Sequence, residues 1–531
     1  MVDNGMVYFA RAYKDGEIAD KIILNPKMAN RHGFICGATG TGKTVTLKVL
    51  AESFSKIGVP VFVSDVKGDV AGLSKPGADS ENMQERIKRF ELSDFEYRGY
   101  PVTIYDVYGA KGIPLRTTMS EMGPQLLSSI LDLNDTQSSL LTVVFKIADN
   151  QGLIITDTKD LKAVLNYVSD NASEFENDYG HIAEASVTTI IRAVVALESE
   201  GADKFFGEPA IDIADFFRTD ANGFGMINIL SAESLINKPR MYSAFMLYLL
   251  SELFEILPEV GDPEKPKMVF FFDEAHLLFN SASKALLEKI EQVVKLIRSK
   301  GVSIFFATQN PADIPNAVHA QLGNKIEHAL RAYTPAEQKA LRSAADSFRA
   351  NENFNTEELL QNLGKGEAIV SVLDEKGVPT VAEHVCILPP ESLMDAISDA
   401  DREALIKNSD MYVKYYQAKD EQSAYEELTA GENKGTAKAG NKKEDADAEA
   451  ESAEDSGKKG KSSGVKKAKP DSKSKMSSET KSVLRTASGS IGREVGKTLG
   501  GALLGSKGRT LGGNIGASIG RNIFGTISKK K

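Results

Sequence analysis

Short apolar runs recur along the first 390 residues: GFICG from 33, VPVFVSDV from 59, PVTIYDVY from 101, GMINIL from 225, MVFFFDEA from 268, VSIFFATQ from 302 and EAIVSVL from 367. Most are β-branched or aromatic, and apolar at successive rather than alternate positions, the pattern of strands covered on both faces. Helical patterns lie between them, most clearly Thr44 to Ile57 and Ala285 to Ser299. The alternation predicts an α/β fold around a doubly wound, mainly parallel sheet.

Residues 120–220 interrupt the alternation with successive helical segments, QSSLLTVVFKIADNQ, TKDLKAVLNYVSDN and EASVTTIIRAVVALE. The expected organisation is a short N-terminal β segment over 1–32, with YFARAY and KIILNP as candidate strands, and a core in two parts, 33–119 and 221–400. A helical insertion, 120–220, separates the two parts, and a helical extension, 401–430, follows. Residues 431–480 hold no aromatic and are dominated by Lys, Glu, Asp, Ser and Gly, too little apolar surface to offset the entropy of ordering, so a disordered linker is expected. Residues 481–531 set twelve glycines among Ile, Leu, Arg and Ser. The spacing leaves open a flexible tail or one that orders on a partner, on a lipid surface or on its own copies.

Charge sharpens this division. The net charge of −10 over 531 residues combines 18 Lys and Arg against 3 Asp and Glu in residues 458–531 with 46 against 71 in residues 1–457, or +15 against −25. Such a tail attracts an anionic partner, whether nucleic acid, an acidic membrane surface or the acidic body itself, or serves as a solvated extension. Two cysteines and six scattered histidines exclude a disulfide framework and a four-cysteine metal site. No apolar stretch of signal-peptide length opens the sequence and no run of about 18 apolar residues occurs, so a cytoplasmic setting is expected.

The candidate chemistry begins at Gly37-Ala38-Thr39-Gly40-Thr41-Gly42-Lys43-Thr44-Val45, which contains G-x-x-x-x-G-K-[ST] between a strand-like run and a helical one. Glycines there let successive N–H groups and a helix N-terminus face one anion; Lys43 then meets the β- and γ-phosphates of ATP, and Thr44 offers its hydroxyl to Mg²⁺. The buried run Val269-Phe-Phe-Phe ends in Asp273 and Glu274, giving one carboxylate to hold the metal and one to deprotonate the attacking water. Gln309, at the end of VSIFFATQN, is placed to sense the γ-phosphate or position that water, or else simply closes the strand with Thr308. Asp65 and Lys67 in SDVKGD stand at another strand end, as metal support and ligand contact or as a solvated turn.

With these residues in place, the chain resembles the HerA–FtsK class of P-loop ATPases and, within it, the bacterial HerA-like helicase C-terminal-domain family. The likeness runs over about residues 5–390, through RHGFICGATGTGKTVTLKVLAE, VPVFVSDVKGDVAGLS, RTTMSEMGP, LNDTQ, FKIADNQGL, FFFDEAHLLF and HALRAYTPAEQKA. It implies a RecA-like core and, for the class, a hexameric ring that moves DNA or protein through its centre. Lys43, Thr44, Asp273, Glu274 and Gln309 match Walker A, Walker B and sensor positions. Arg298, in LIRSKGV, falls where the class places an arginine that reaches the neighbouring subunit's nucleotide, with Arg331 as a second candidate. The β-barrel that precedes the P-loop in DNA-processing HerA proteins has only about 30 residues in its place here, and no helix-turn-helix, zinc ribbon or aromatic-studded basic strand is visible.

The expectation is therefore a Mg²⁺-dependent ATPase, a homo-oligomeric DNA-directed translocase or helicase-like motor. The rival is a protein-directed or membrane-associated remodelling ATPase or nucleotide-gated scaffold. A dinucleotide-binding oxidoreductase, to which the position of Asp65 would be suited, is disfavoured by Gly-Lys-Thr and the Asp-Glu pair.

Overall fold

A computed structural model describes residues 2–280, 282–420 and 422–430. The linker expected over 431–480 and the tail expected over 481–531 lie outside the described residues. The described residues divide into a large unit, up to Phe145 with Ile155–Ser423, and a small one, Lys146–Ile154 with residues 424–430. In the small unit the Ala424 amide donates to the Ile154 carbonyl at 2.9 Å. The sheet and every candidate site residue belong to the large unit.

Among the described residues thirteen strands form one sheet: β1 (Val2–Asp3), β2 (Met6–Lys14), β3 (Glu17–Leu24), β4 (Gly33–Cys36), β5 (Val61–Asp65), β6 (Val102–Asp106), β7 (Ile113–Pro114), β8 (Ile227–Ser231), β9 (Met268–Phe272), β10 (Val302–Thr308), β11 (Asn324–Glu327), β12 (Glu367–Ser371) and β13 (Glu383–Ile387). They lie in the order β1-β2-β13-β12-β11-β4-β10-β9-β5-β8-β6-β7, with β3 beside β2. From β11 to β7 every neighbour is parallel. From β11 through β12 and β13 to the N-terminal strands every neighbour is antiparallel. The sheet is thus mixed, and its parallel half carries the glycine loop after β4 and the Asp273-Glu274 pair after β9. Two strands of the antiparallel half, β11 and β13, escape the apolar pattern because they read Asn-Lys-Ile-Glu and Glu-His-Val-Cys-Ile.

Both faces of the parallel half are covered, which is why its strands are apolar throughout. On one face Ile35, Val63, Phe271 and Phe305 join Leu47, Leu50 and Phe54 of the Lys43–Lys56 helix in the core. On the other, alternate residues of the same strands stack their rings, Phe62 on Phe270 at 5.0 Å and Phe272 on Phe306 at 5.3 Å between centroids. The Pro239–Ile256 helix covers that second face, with the Tyr242 hydroxyl 3.0 Å from Ser64 Oγ. Between β7 and β8 the chain forms the helices Met119–Ile130, Asp135–Gln151, Thr158–Asp170, Ala172–Tyr179 and Glu184–Glu198. Among the described residues no single helix is long and apolar enough to cross a membrane.

One residue of β11 is costly. Glu327 is fully buried and neither carboxylate oxygen has a hydrogen-bond partner. Burial pushes its carboxyl up to about 7, against the opposing pull of Lys325. Because the folded carboxyl binds its proton more tightly than the unfolded one, folding stability falls as pH rises from about 4.5 to 7 and stays reduced above that. Glu327→Gln, which keeps the neutral shape, should match the parent near pH 4 and exceed it by roughly 1–3 kcal/mol at pH 8. Urea unfolding at the two pH values measures the difference; an equal effect at both would show that ionisation of Glu327 is not its source.

Candidate nucleotide site

The Gly37–Thr44 loop leaves the C-terminal end of β4 and is fastened on several sides. The Gly37 amide donates to Thr308 O at 3.3 Å, the Ala38 amide to Ala329 O at 2.8 Å, and Thr41 O accepts from the Gly366 amide at 2.9 Å. Gly37 has φ +155° and Gly42 φ +128°, and a Cβ on Gly37 would lie 2.5 Å from His328 Cβ, so conformation and space both require glycine there. The Lys43–Lys56 helix starts at this loop with no side-chain cap, which leaves its first N–H groups for an anion. Lys43 is buried and donates from Nζ to Gly37 O at 2.6 Å and Ala38 O at 3.1 Å. Burial holds its ammonium below the usual lysine range, opposed by the charge of Glu274.

Two strands away, β9 delivers Asp273 and Glu274 to the same edge. Asp273 is 2% exposed and its Oδ2 has no hydrogen-bond partner. Burial pushes its carboxyl up to about 6 although Lys67 Nζ lies 3.9 Å away. A buried, unsatisfied carboxylate oxygen beside a phosphate-type loop suits a divalent cation, and with the Thr44 hydroxyl at the helix start the donor set fits Mg²⁺. Glu274 differs. Burial alone would raise it, but Lys67 Nζ at 2.5 Å from Oε1, with Gln309 and Lys43, holds it below the usual carboxylate range.

Gln309 joins the two halves. Its Nε2 donates to Glu274 Oε1 at 3.0 Å and Oε2 at 3.2 Å, and its Oε1 accepts from Thr39 Oγ1 at 3.0 Å. Thr308, one residue earlier, turns away and donates to Asp313 Oδ2 at 2.5 Å. Lys43, Glu274 and Gln309 are therefore one bonded or charge-coupled group around the loop, with Asp273 beside it.

Arg298 stands elsewhere. It precedes β10 and so lies at the opposite edge of the sheet from its own P-loop, with Nη2 3.1 Å from Asp262 Oδ1. Arg331 follows β11 on the P-loop edge, is exposed, and donates to Gln361 O at 2.9 Å. Asp65 is consumed by its own turn: Oδ1 accepts from the Lys67 and Gly68 amides at 3.1 and 2.7 Å, and Oδ2 from the Val70 amide at 3.0 Å. Its carboxylate is thus committed to holding the turn, and Lys67 is the residue of this turn that reaches Glu274.

His328 is the supporting residue that sequence reasoning passed over. It is fully buried beneath the loop, its Nε2 2.8 Å from Thr46 Oγ1 and its Nδ1 2.7 Å from Glu367 O. Burial pulls it down to about 4, so the ring is neutral at physiological pH. The available signal was its place directly after a strand, but the charged composition of β11 conceals that strand.

A phosphate-binding loop at one strand end and an Asp-Glu pair at another, with a third strand carrying the bridging glutamine between them, define a P-loop NTPase. Residues 11–510 match the family described as Helicase HerA-like C-terminal, and the chain belongs to that family of P-loop ATPases. It is similar to the DNA double-strand break repair helicases HerA of Sulfolobus acidocaldarius, 21% identical over 360 residues, and of Sulfurisphaera tokodaii, 20% identical over 350 residues. These alignments take in 66% and 64% of this chain but only 63% and 62% of those relatives, so the chain spans less than two thirds of their length. Among solved structures it is similar to the plasmid coupling protein TrwB in complex with ADP and Mg²⁺ (15% identity, 74% of this chain and 97% of that one, TM-score 0.47). A second is VirB4 of Thermoanaerobacter pseudethanolicus (18% identity, 73% and 97%, TM-score 0.45).

Lys43→Ala should weaken binding of a non-hydrolysable ATP analogue about tenfold or more, the loss of one charge-assisted contact to phosphate. Calorimetric titration reads this directly, and affinity equal to the parent's would remove Lys43 from the phosphate site.

Proposed function

We propose that this chain is a Mg²⁺-dependent ATPase that works as a DNA-directed motor, translocase or helicase-like, assembled from copies of itself. The observation that carries the hydrolytic part is the Glu274 carboxylate, held ionised and fixed between Lys67 and Gln309 at the mouth of the glycine loop. The loop amides, the helix N-terminus and Lys43 bind and orient the triphosphate. Mg²⁺, held by Thr44 and Asp273, would neutralise charge developing on the β- and γ-phosphates. Glu274 takes the proton of the attacking water, and Gln309, hydrogen-bonded to both Glu274 and Thr39, keeps base and loop in register.

The DNA target is supported by the family description and by the names of the two archaeal relatives. Assembly is supported by the place of Arg298. Its side chain, about two-fifths exposed and paired with Asp262 at the sheet edge away from its own phosphate loop, does not face its own nucleotide, which supports a role toward a neighbour's. The second reading, a protein-directed or membrane-associated ATPase, draws on the −25 charge of residues 1–457, a poor general surface for DNA.

Steady-state ATP hydrolysis at low and moderate salt, with and without single- and double-stranded DNA and with Glu274→Gln as the blank, separates the readings. Severalfold, salt-sensitive stimulation by DNA is expected; turnover indifferent to both DNA forms would transfer the proposal to a protein target. Glu274→Gln should bind the analogue within about threefold of the parent yet lose turnover by about 100-fold or more. Arg298→Ala should lose turnover about tenfold or more with ATP affinity little changed. Full activity of Arg298→Ala in the assembled state would sink the shared-site assignment.

A further inference from the structure

Strand order places β9 between β5 and β10, all parallel, so the residues that follow β5 and β10 flank whatever follows β9. Gln309 follows β10 and grips Glu274 from that side. Lys67 follows β5 and grips it from the other, with Nζ 2.5 Å from Oε1. His276 Nδ1 also lies near this carboxylate, 3.4 Å from Oε2.

We propose that Lys67 is a positioning residue for ATP hydrolysis, which with Gln309 clamps the Glu274 carboxylate from the two neighbouring strands and fixes the direction from which it meets the attacking water. The proposal rests on the assignment of Glu274 as the hydrolytic base, and not on the identity of the motor's target.

The loop that carries Lys67 is built to hold it still. Asp65 receives three backbone amides of the turn, at 3.1, 2.7 and 3.0 Å. Gly68 has φ +81°, a backbone conformation that residues with a Cβ rarely adopt, so the turn is built on glycine there. Arg402, from the Asp399–Lys407 helix, donates to Gly68 O at 3.4 Å. A half-exposed lysine on a flexible stem ordinarily samples several rotamers, and its ion pair adds little to stability. Here the backbone beneath it is immobilised and its head meets a carboxylate that is 5% exposed, so the pair's consequence falls on the geometry of Glu274. Glu274 itself has φ +49°, an unfavourable setting for a residue with a side chain, and its carboxylate depends on outside contacts for its direction.

The test compares Lys67→Ala and Lys67→Arg in the full chain, measuring turnover at saturating ATP, binding of a non-hydrolysable ATP analogue, and melting. Lys67→Ala should lower kcat roughly ten- to a hundredfold, the scale of a misplaced catalytic group, with analogue affinity and melting within about twofold and a few degrees of the parent. Lys67→Arg should restore turnover to within about threefold, since its fork also reaches a carboxylate. Lys67→Ala combined with Gln309→Ala should cost less than the product of the single losses, because both act through one carboxylate. Weakened analogue binding with unchanged kcat would overturn the proposal and give Lys67 to the phosphates. Unchanged turnover in Lys67→Ala, or an arginine variant as impaired as the alanine one, would overturn it too. Hydrolysis by the parent above the Glu274→Gln blank keeps the base assignment intact whichever way Lys67 falls, so the two claims fail separately.

Discussion

Because β5, β9, β10 and β4 run parallel and nearly in register, groups far apart in sequence arrive at one edge of one sheet. Ser64 pairs with Phe272, Phe272 with Phe306, and Thr308 with Cys36. The next residue or two of each strand must then fall close together: Lys67 after β5, Asp273 and Glu274 after β9, Gln309 after β10, and the glycine loop after β4. The hydrogen bonds among them depend on that register, and a slip of one residue would turn each side chain to the opposite face. Two dry layers of aromatic and aliphatic side chains hold the register, so the hydrophobic core is what sets the geometry of the polar site.

The Lys43–Lys56 helix is held from below by groups that a simple core would lack. Lys48 is fully buried and donates to Leu393 O at 3.0 Å and Met394 O at 2.8 Å. Glu52, also fully buried, accepts from the Glu391 amide at 3.0 Å and from the Ser392 amide and hydroxyl at 3.1 and 2.5 Å. Burial still pushes Glu52 up to about 7, so these donors only partly offset the loss of water. Replacement by leucines would remove that cost, but would also free the helix from residues 391–394. The buried polar pairs therefore specify where the phosphate-binding helix sits more than they add to stability, and His328 adds a further tie to the first turn of that helix through Thr46.

The seven apolar runs visible in the sequence became β4, β5, β6, β8, β9, β10 and β12, since strands buried on both faces must be apolar at every position. The site was legible to the same depth: the glycine loop, Asp273, Glu274 and Gln309 all follow such runs. What stayed hidden depended on charged residues whose burial or pairing only the fold reveals. Lys325 and Glu327 disguise β11, and with it the position of His328. Lys67 reads as a ligand contact or a solvated turn lysine, and its pairing with Glu274 shows only once β5 is known to lie beside β9. Arg298 reads as an arginine near the Walker B helix, whereas the parallel run of β10 puts it at the far edge. The charge asymmetry of the tail is plain in the sequence, and it belongs to residues outside those the structure describes.

Glu274 brings these threads together. A non-glycine residue at φ +49° carries a cost of about 1–3 kcal/mol that a glycine would escape. The setting persists because the backbone on either side is fixed: the Asp273 amide donates to Ser64 O at 3.3 Å and the Ala275 amide to Ala307 O at 2.8 Å, one bond to each neighbouring strand. Held between those bonds, the chain leaves β9 in a tight turn, and the side chain emerges between Lys67 and Gln309. The same two strands thus impose the strain through their backbones and receive the carboxylate through their side chains. A relaxed residue at this position would keep the fold and lose the aim of the base.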